Sequence, residues 1–138
     1  MKFAQFHAGQ IIEAGPYTVT EAQILAFAKE WDPQWFHTDP EAAAQGPHGG
    51  LIASGWQTCG IAMRLVAEAA LKDSESFASP GLQDVKWLKP VRPNDTLRVV
   101  ATVVEVRRSG NKPLGILRWR WQLYNQLQQE VLDLEATS

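Results

Sequence analysis

At 138 residues the chain is long enough for one domain, residues 1–138, to bury a core without disulfides or a structural metal. Thirteen Lys and Arg stand against fifteen Asp and Glu, a net charge of −2 with both signs scattered, so no basic run marks a nucleic-acid partner or an anionic membrane. The single cysteine, Cys59, excludes an internal disulfide and lacks the paired spacing of a zinc site, and no run approaches the ~20 apolar residues of a membrane span. The opening MKFAQFHAGQ has no continuous apolar stretch of the signal-peptide kind, and the expectation is a soluble, cytoplasmic protein.

In chain order, Thr18 to Thr20 lead into a first helix. Thr20 and Gln23 match a capping box, and Ile24, Phe27, Ala28 and Trp31 recur at helical spacing. The helix stops at Asp32-Pro33. Trp31 to Gly55 is crowded with Pro, Gly, Asp and His and reads as an ordered loop, with a short helical turn around Glu41 to Ala44 that Asp39 caps. Long loops inside compact domains are usually functional or disordered. From Ser54 the longest helix begins, with Trp56, Cys59, Gly60, Met63, Val66, Ala67 and Ala70 on one apolar face. Lys72 to Pro80 breaks it.

The remainder reads as strands. Gln83, Val85 and Trp87 alternate with Asp84, Lys86 and Leu88, and Leu97 to Arg107 is rich in Val and Thr. Leu117, Trp119, Trp121 and Leu123 alternate with Arg118, Arg120 and Gln122, and a last strand covers Glu130 to Ala136. Turn formers at Pro90 to Asp95 and Ser109 to Pro113 join consecutive strands, which predicts antiparallel pairing. Helices followed by strands indicate an α+β fold, an antiparallel sheet packed on the long helix. Six tryptophans suit both a core and a subunit contact.

Two segments carry chemistry. Trp31-Asp32-Pro33-Gln34-Trp35-Phe36-His37 sets a carboxylate and an imidazole five residues apart on an aromatic loop. Such a pair can share proton transfer near neutral pH, the imidazole by its intrinsic pKa and the carboxylate if burial raises its own. Spacing alone also allows Asp32 to cap a turn and His37 to be an ordinary polar loop residue. Pro47-His48-Gly49-Gly50 leads toward the long helix, where backbone N–H groups bear partial positive charge and glycine lets a ligand approach closely. A thioester carbonyl gaining charge in an enolate-like transition state suits that place, as does a tight turn with no ligand at all.

Asp-x-x-x-x-His-x-Asp-Pro, then His-Gly-Gly-Leu-Ile-Ala-Ser-Gly, then Lys-Pro-Val-Arg-Pro-x-Asp-Thr-Leu, in this order over nearly the whole chain, resembles the MaoC-like dehydratases and R-specific enoyl-CoA hydratases. The resemblance implies a hotdog fold, a long central helix wrapped by the sheet, that forms a homodimer with the thioester at the subunit interface. It implies that Asp32 and His37 activate a water for addition across the C2–C3 double bond of an enoyl thioester, as an enoyl-CoA hydratase or 3-hydroxyacyl-CoA dehydratase. The amide of Gly49, or of Gly50, binds the carbonyl. Coenzyme A is then the substrate's thiol carrier, and neither a metal nor another cofactor takes part.

The chain departs from the family pattern at Gln34-Trp35, where Asn-Pro is usual, and at Gln57, aligned with a small hydroxyl or imidazole side chain. Both places fall near the expected site. Gln34 retains an amide to orient a water or carboxylate, and Trp35 adds bulk to the acyl pocket. His48 either lines the site or steadies the glycine turn. Two other readings stay open: a hotdog acyl-CoA thioesterase, since Asp and His could activate water for attack on the carbonyl carbon as well, and, because of Gln57, an acyl-CoA-binding module whose site has decayed.

Overall fold

A computed structural model describes all 138 residues. Five strands, β1 (Ile11–Thr18), β2 (Gly81–Trp87), β3 (Thr96–Arg108), β4 (Gly115–Tyr124) and β5 (Glu130–Thr137), form one antiparallel sheet in the order β1-β3-β4-β5-β2. Four helices, α1 (Glu21–Trp31), α2 (Trp35–Thr38), α3 (Pro40–Gln45) and α4 (Gly55–Val66), precede β2. A π turn, Ala67–Leu71, extends α4. The long helix packs against β1, β3 and β4, the α+β hotdog arrangement.

Alternation decides which residues make the core. Leu117, Trp119, Trp121 and Leu123 of β4 are all buried, as are Leu97, Val99, Ala101 and Val103 of β3 and Leu132, Leu134 and Ala136 of β5. α1 has the expected capping box, with the Thr20 hydroxyl accepting from the Gln23 amide at 3.2 Å and the Gln23 side chain accepting from the Thr20 amide at 2.9 Å. Asp39 caps α3 through the Ala42 amide at 3.1 Å. Asn94 takes φ +69°, the left-handed conformation that a short amide side chain tolerates in a turn.

Three features differ from the sequence expectation. β1 carries no strong alternation, because Gly15-Pro16 interrupts it: Pro16 has no N–H for the ladder, and the register with β3 shifts between Ala14 and Tyr17. Trp35 to Thr38 forms a helical turn rather than loop. The apolar face expected of α4 packs inward only at its C-terminal end, where Val66 and Ala70 are buried. Gln57, Thr58, Ile61, Ala62 and Leu65 are buried, whereas Trp56 and Met63 are exposed and Cys59 only half-buried. The helix is apolar on two sides, and the N-terminal part of the expected stripe, Trp56 to Met63, faces outward.

That outward stripe meets the edge of the sheet. The ring of Trp56 stands edge-on to Trp87 of β2 at 5.9 Å between centroids, and Gly55 packs so closely on the Trp87 indole that a β-carbon there would lie 2.5 Å from it. β2 pairs only with β5, and Leu82, Trp87 and the following Leu88 are each nearly half exposed. An apolar strip of helix and a free strand edge therefore form one continuous face.

Candidate active site

Asp32 is the C-cap of α1, and His37 sits on α2. A carboxylate at the negative end of a helix is disfavoured by the aligned peptide dipoles and persists where donors compensate it. Both oxygens of Asp32 are engaged: Oδ1 accepts from Gln34 Nε2 and Oδ2 from Ser54 Oγ, each at 2.7 Å. Ser54 is the N-cap of α4, where its hydroxyl also accepts from the Trp56 amide at 3.3 Å. One side chain thus ties the start of α4 to the end of α1.

The buried His37 ring lies edge-on to Phe36, and its Nδ1 is 2.7 Å from the Ile52 carbonyl oxygen. A carbonyl only accepts, so Nδ1 carries the proton and Nε2 is left to face Asp32 Oδ2 at 3.3 Å. Nε2 and Oδ2 are two proton acceptors side by side, and an added proton is shared between them.

The condition on which the Asp32 carboxyl would itself titrate near neutral pH, a pKa raised by burial, is not met. Burial does push it up, but the hydrogen bonds from Gln34 and Ser54, joined by the positive charge that His37 bears whenever it takes up a second proton, outweigh that and hold it below its ordinary value. Asp133 is likewise held low by the Arg120 guanidinium, which donates to both its oxygens at 2.8 Å. A carboxyl depressed in the folded state stabilises it above the unfolded pKa and loses that contribution as pH falls through the folded one. The melting temperature is therefore expected to fall below about pH 4. Asp32→Asn should fall less steeply there when scanned by calorimetry; identical slopes would remove Asp32 from this account.

The pair opens into a cleft of about 390 Å³ lined by His48, Ile52, Ala53, Gly55, Trp56, Thr58, Trp87, Lys89 and Val91, among others. Of the expected residues, His48 stands on this wall, its carbonyl accepting from Arg92 Nη2 at 2.5 Å. Gln34 touches Asp32 instead of lining the cleft. Trp35 does not narrow it: the indole covers Gly46, where a β-carbon would lie 2.6 Å from the ring, and is half exposed outside. Gln57 is buried and does not line the cleft, and its Oε1 has no hydrogen-bond partner.

The glycine segment is also rearranged. Gly49, at φ +67°, donates its N–H to the Gly46 carbonyl at 3.1 Å, and α4 begins only at Gly55. The N–H groups of Gly50 and Gly55 have no acceptor in the chain, and Gly55 borders the cleft. Sequence reasoning passed over Ser54, Thr58, Trp87 and Lys89. A serine at a helix start was the one visible signal, and its bond to a residue 22 positions earlier is tertiary.

The chain thus combines a hotdog fold with an Asp–His pair beside the start of its central helix. The sequence profile of the MaoC-like domain matches residues 3–118, and the chain belongs to that family. Over 137 residues it is 34% identical to the uncharacterized protein YdeM of Bacillus subtilis, covering 99% of this chain and 96% of that one. The 3-hydroxyacyl-thioester dehydratase Z of Mycobacterium tuberculosis is 34% identical over 96 residues, 68% of this chain and 64% of its own. The crystal structure of a MaoC-like dehydratase from Rhodospirillum rubrum superposes with a TM-score of 0.88 at 35% identity, covering 97% of this chain and 92% of that chain.

Proposed function

We propose that the protein is an enoyl-thioester hydratase, or in reverse a 3-hydroxyacyl-thioester dehydratase, acting on coenzyme A thioesters. The observation that carries this reading is the 3.3 Å pair of Asp32 Oδ2 and His37 Nε2 at the wall of an apolar cleft. A water held between these acceptors gives up a proton to the pair as its oxygen adds at C3. The electrons of the double bond move toward the thioester carbonyl, and a proton from the pair completes C2. The N–H of Gly55, which borders the cleft and has no acceptor in the chain, is the donor for the enolate oxygen in place of Gly49; that of Gly50 is also free but lies outside the cleft lining. No step calls for a metal or redox cofactor. The assay is loss of enoyl absorbance from crotonyl-CoA and longer enoyl-CoAs. Release of free thiol from saturated acyl-CoA would replace this reading with hydrolysis, and binding without turnover would replace it with a carrier module.

The working form in this reading is a homodimer. Trp56, Met63, Leu82 and Trp87 all expose at least 41% of their surface on one continuous face beside the unpaired edge of β2. A second copy covers both at once, by antiparallel β2–β2 pairing that makes one ten-stranded sheet. Light scattering at micromolar concentration is expected to give twice the chain mass. Leu82→Lys, which sets like charges near the axis of the pairing, should shift the protein toward monomer; a wild-type monomer would sink the dimer.

A further inference from the structure

We infer that Ser54 is a positioning residue of the reaction: its buried hydroxyl keeps the Asp32 carboxylate ionised, so that the proton the pair takes from water rests on the His37 side, at Nε2. The inference rests on the hydratase reading above and deepens it by naming the atom that carries the proton. Ser54 is completely buried, and its Oγ lies between a donor and an acceptor. The Trp56 N–H donates to Oγ at 3.3 Å, and Oγ donates to Asp32 Oδ2 at 2.7 Å. A peptide N–H can only donate, so the hydroxyl proton points at the carboxylate. Oδ2 is the oxygen that faces His37 Nε2 at 3.3 Å, and Oδ1 is taken by Gln34 Nε2 at 2.7 Å.

With one proton on the pair, two arrangements compete. In one the carboxylate is ionised and the His37 ring doubly protonated; in the other Asp32 is a neutral acid and Nε2 is bare. Gln34 and Ser54 both donate to Asp32, and such bonds are roughly twice as strong to an ion as to a neutral acceptor, which favours the first. Nδ1 gives its proton to the Ile52 carbonyl at 2.7 Å in either arrangement. His48 and Lys89 are the other titratable side chains on the cleft wall. The sequence of bonds from Trp56 through Ser54 also brings the positive end of α4 to a carboxylate that caps the negative end of α1. In the step itself a water O–H bond breaks, its proton goes to Nε2 and its oxygen bonds to C3. The double-bond electrons pass to the enolate, whose oxygen meets the N–H of Gly55, the residue after Ser54. C2 then takes the proton from Nε2, and the pair ends as it began.

Ser54→Gly separates this role from helix capping, because glycine caps a helix nearly as well as serine but has no hydroxyl. With crotonyl-CoA its kcat should fall about tenfold, the worth of one hydrogen bond to a charged group, with KM unchanged. Ser54→Thr keeps the hydroxyl and should recover most of that loss. In Asp32→Asn protein the same Ser54→Gly change should cost nothing further. Native kcat in Ser54→Gly, or an equal loss with and without the Asp32 carboxylate, would leave Ser54 a helix cap only and overturn the inference. The proton is located without turnover, by NMR of protein carrying ¹³C in the Asp32 carboxyl and ¹⁵N in the His37 ring. Wild type should take up its first proton at Nε2 with Asp32 still ionised, and Ser54→Gly should raise the Asp32 titration by about one pH unit, the tenfold loss in another form. A first proton on Asp32, or a titration that Ser54→Gly leaves in place, overturns the assignment. A wild type that hydrates no enoyl thioester refutes the hydratase reading, a failure distinct from either titration result.

Discussion

Asp32→Asn is expected to lower enoyl-thioester hydration by at least ~10²-fold, the lower range for general acid–base catalysis, with the fold and the subunit contact retained. The amide keeps the size of the carboxylate but cannot hold a proton for the reaction. It also sets an NH₂ against one of the two donors, Gln34 Nε2 or Ser54 Oγ, that now point at Asp32. His37→Ala should cost a similar factor, since Nε2 is the other half of the same acceptor pair and Nδ1 fixes its tautomer through Ile52. Groups sharing one proton-transfer task are not additive, so the double variant should lose little more than either single one. Circular dichroism and light scattering establish that each variant is folded. Losses that multiply in the double variant would mean independent roles, and near-native turnover by folded Asp32→Asn would end the mechanism.

The parts of this site that were legible in the sequence are those whose cause is local. Asp32 and His37 share one short segment, and the Thr20 capping box and Asp39 cap declare helix starts within four residues of themselves. β4 was legible because one face is buried from Leu117 to Leu123, so its side chains alternate there without exception. What was lost depends on chain brought from far away. The bond from Ser54 to Asp32 and the packing of Trp87 over Gly55 have no signature in spacing. The α4 stripe was right at Val66 and Ala70 but wrong at Trp56 and Met63 for a different reason: both sides of the helix are apolar, and periodicity identifies a face without saying which neighbour covers it. The direction of the Asp32 shift was left open by the sequence: Gln34, two residues on, was visible as a partner for a carboxylate, but the hydrogen bond from Ser54 that joins it comes from 22 residues away.

Trp119→Ala is expected to destabilise the protein by about 3–5 kcal/mol, the range for emptying a large aromatic site in a packed core. Trp119 is completely buried at the centre of β4 and is the largest of the fully buried side chains. Phe6 and Trp121 meet its ring edge-on, with centroids 5.7 and 5.5 Å away, so the cavity would be walled by two other aromatics held by their own strands and turns. β4 is the middle strand of five and pairs with both β3 and β5 at this level, through Val103 and Ala136, so the backbone cannot collapse into the space. The indole N–H also gives up its bond to Ser138 Oγ at 3.2 Å, a smaller loss beside the missing ring contacts. The Asp32–His37 pair touches none of these residues, so catalysis should be separable from stability: at a temperature where the variant is still folded, kcat stays near wild type while the urea midpoint falls sharply. A Trp119→Phe variant, which refills most of the space, should recover much of the lost stability. Destabilisation under 1 kcal/mol by Trp119→Ala would mean that the sheet can close around the gap, contrary to the packing described here.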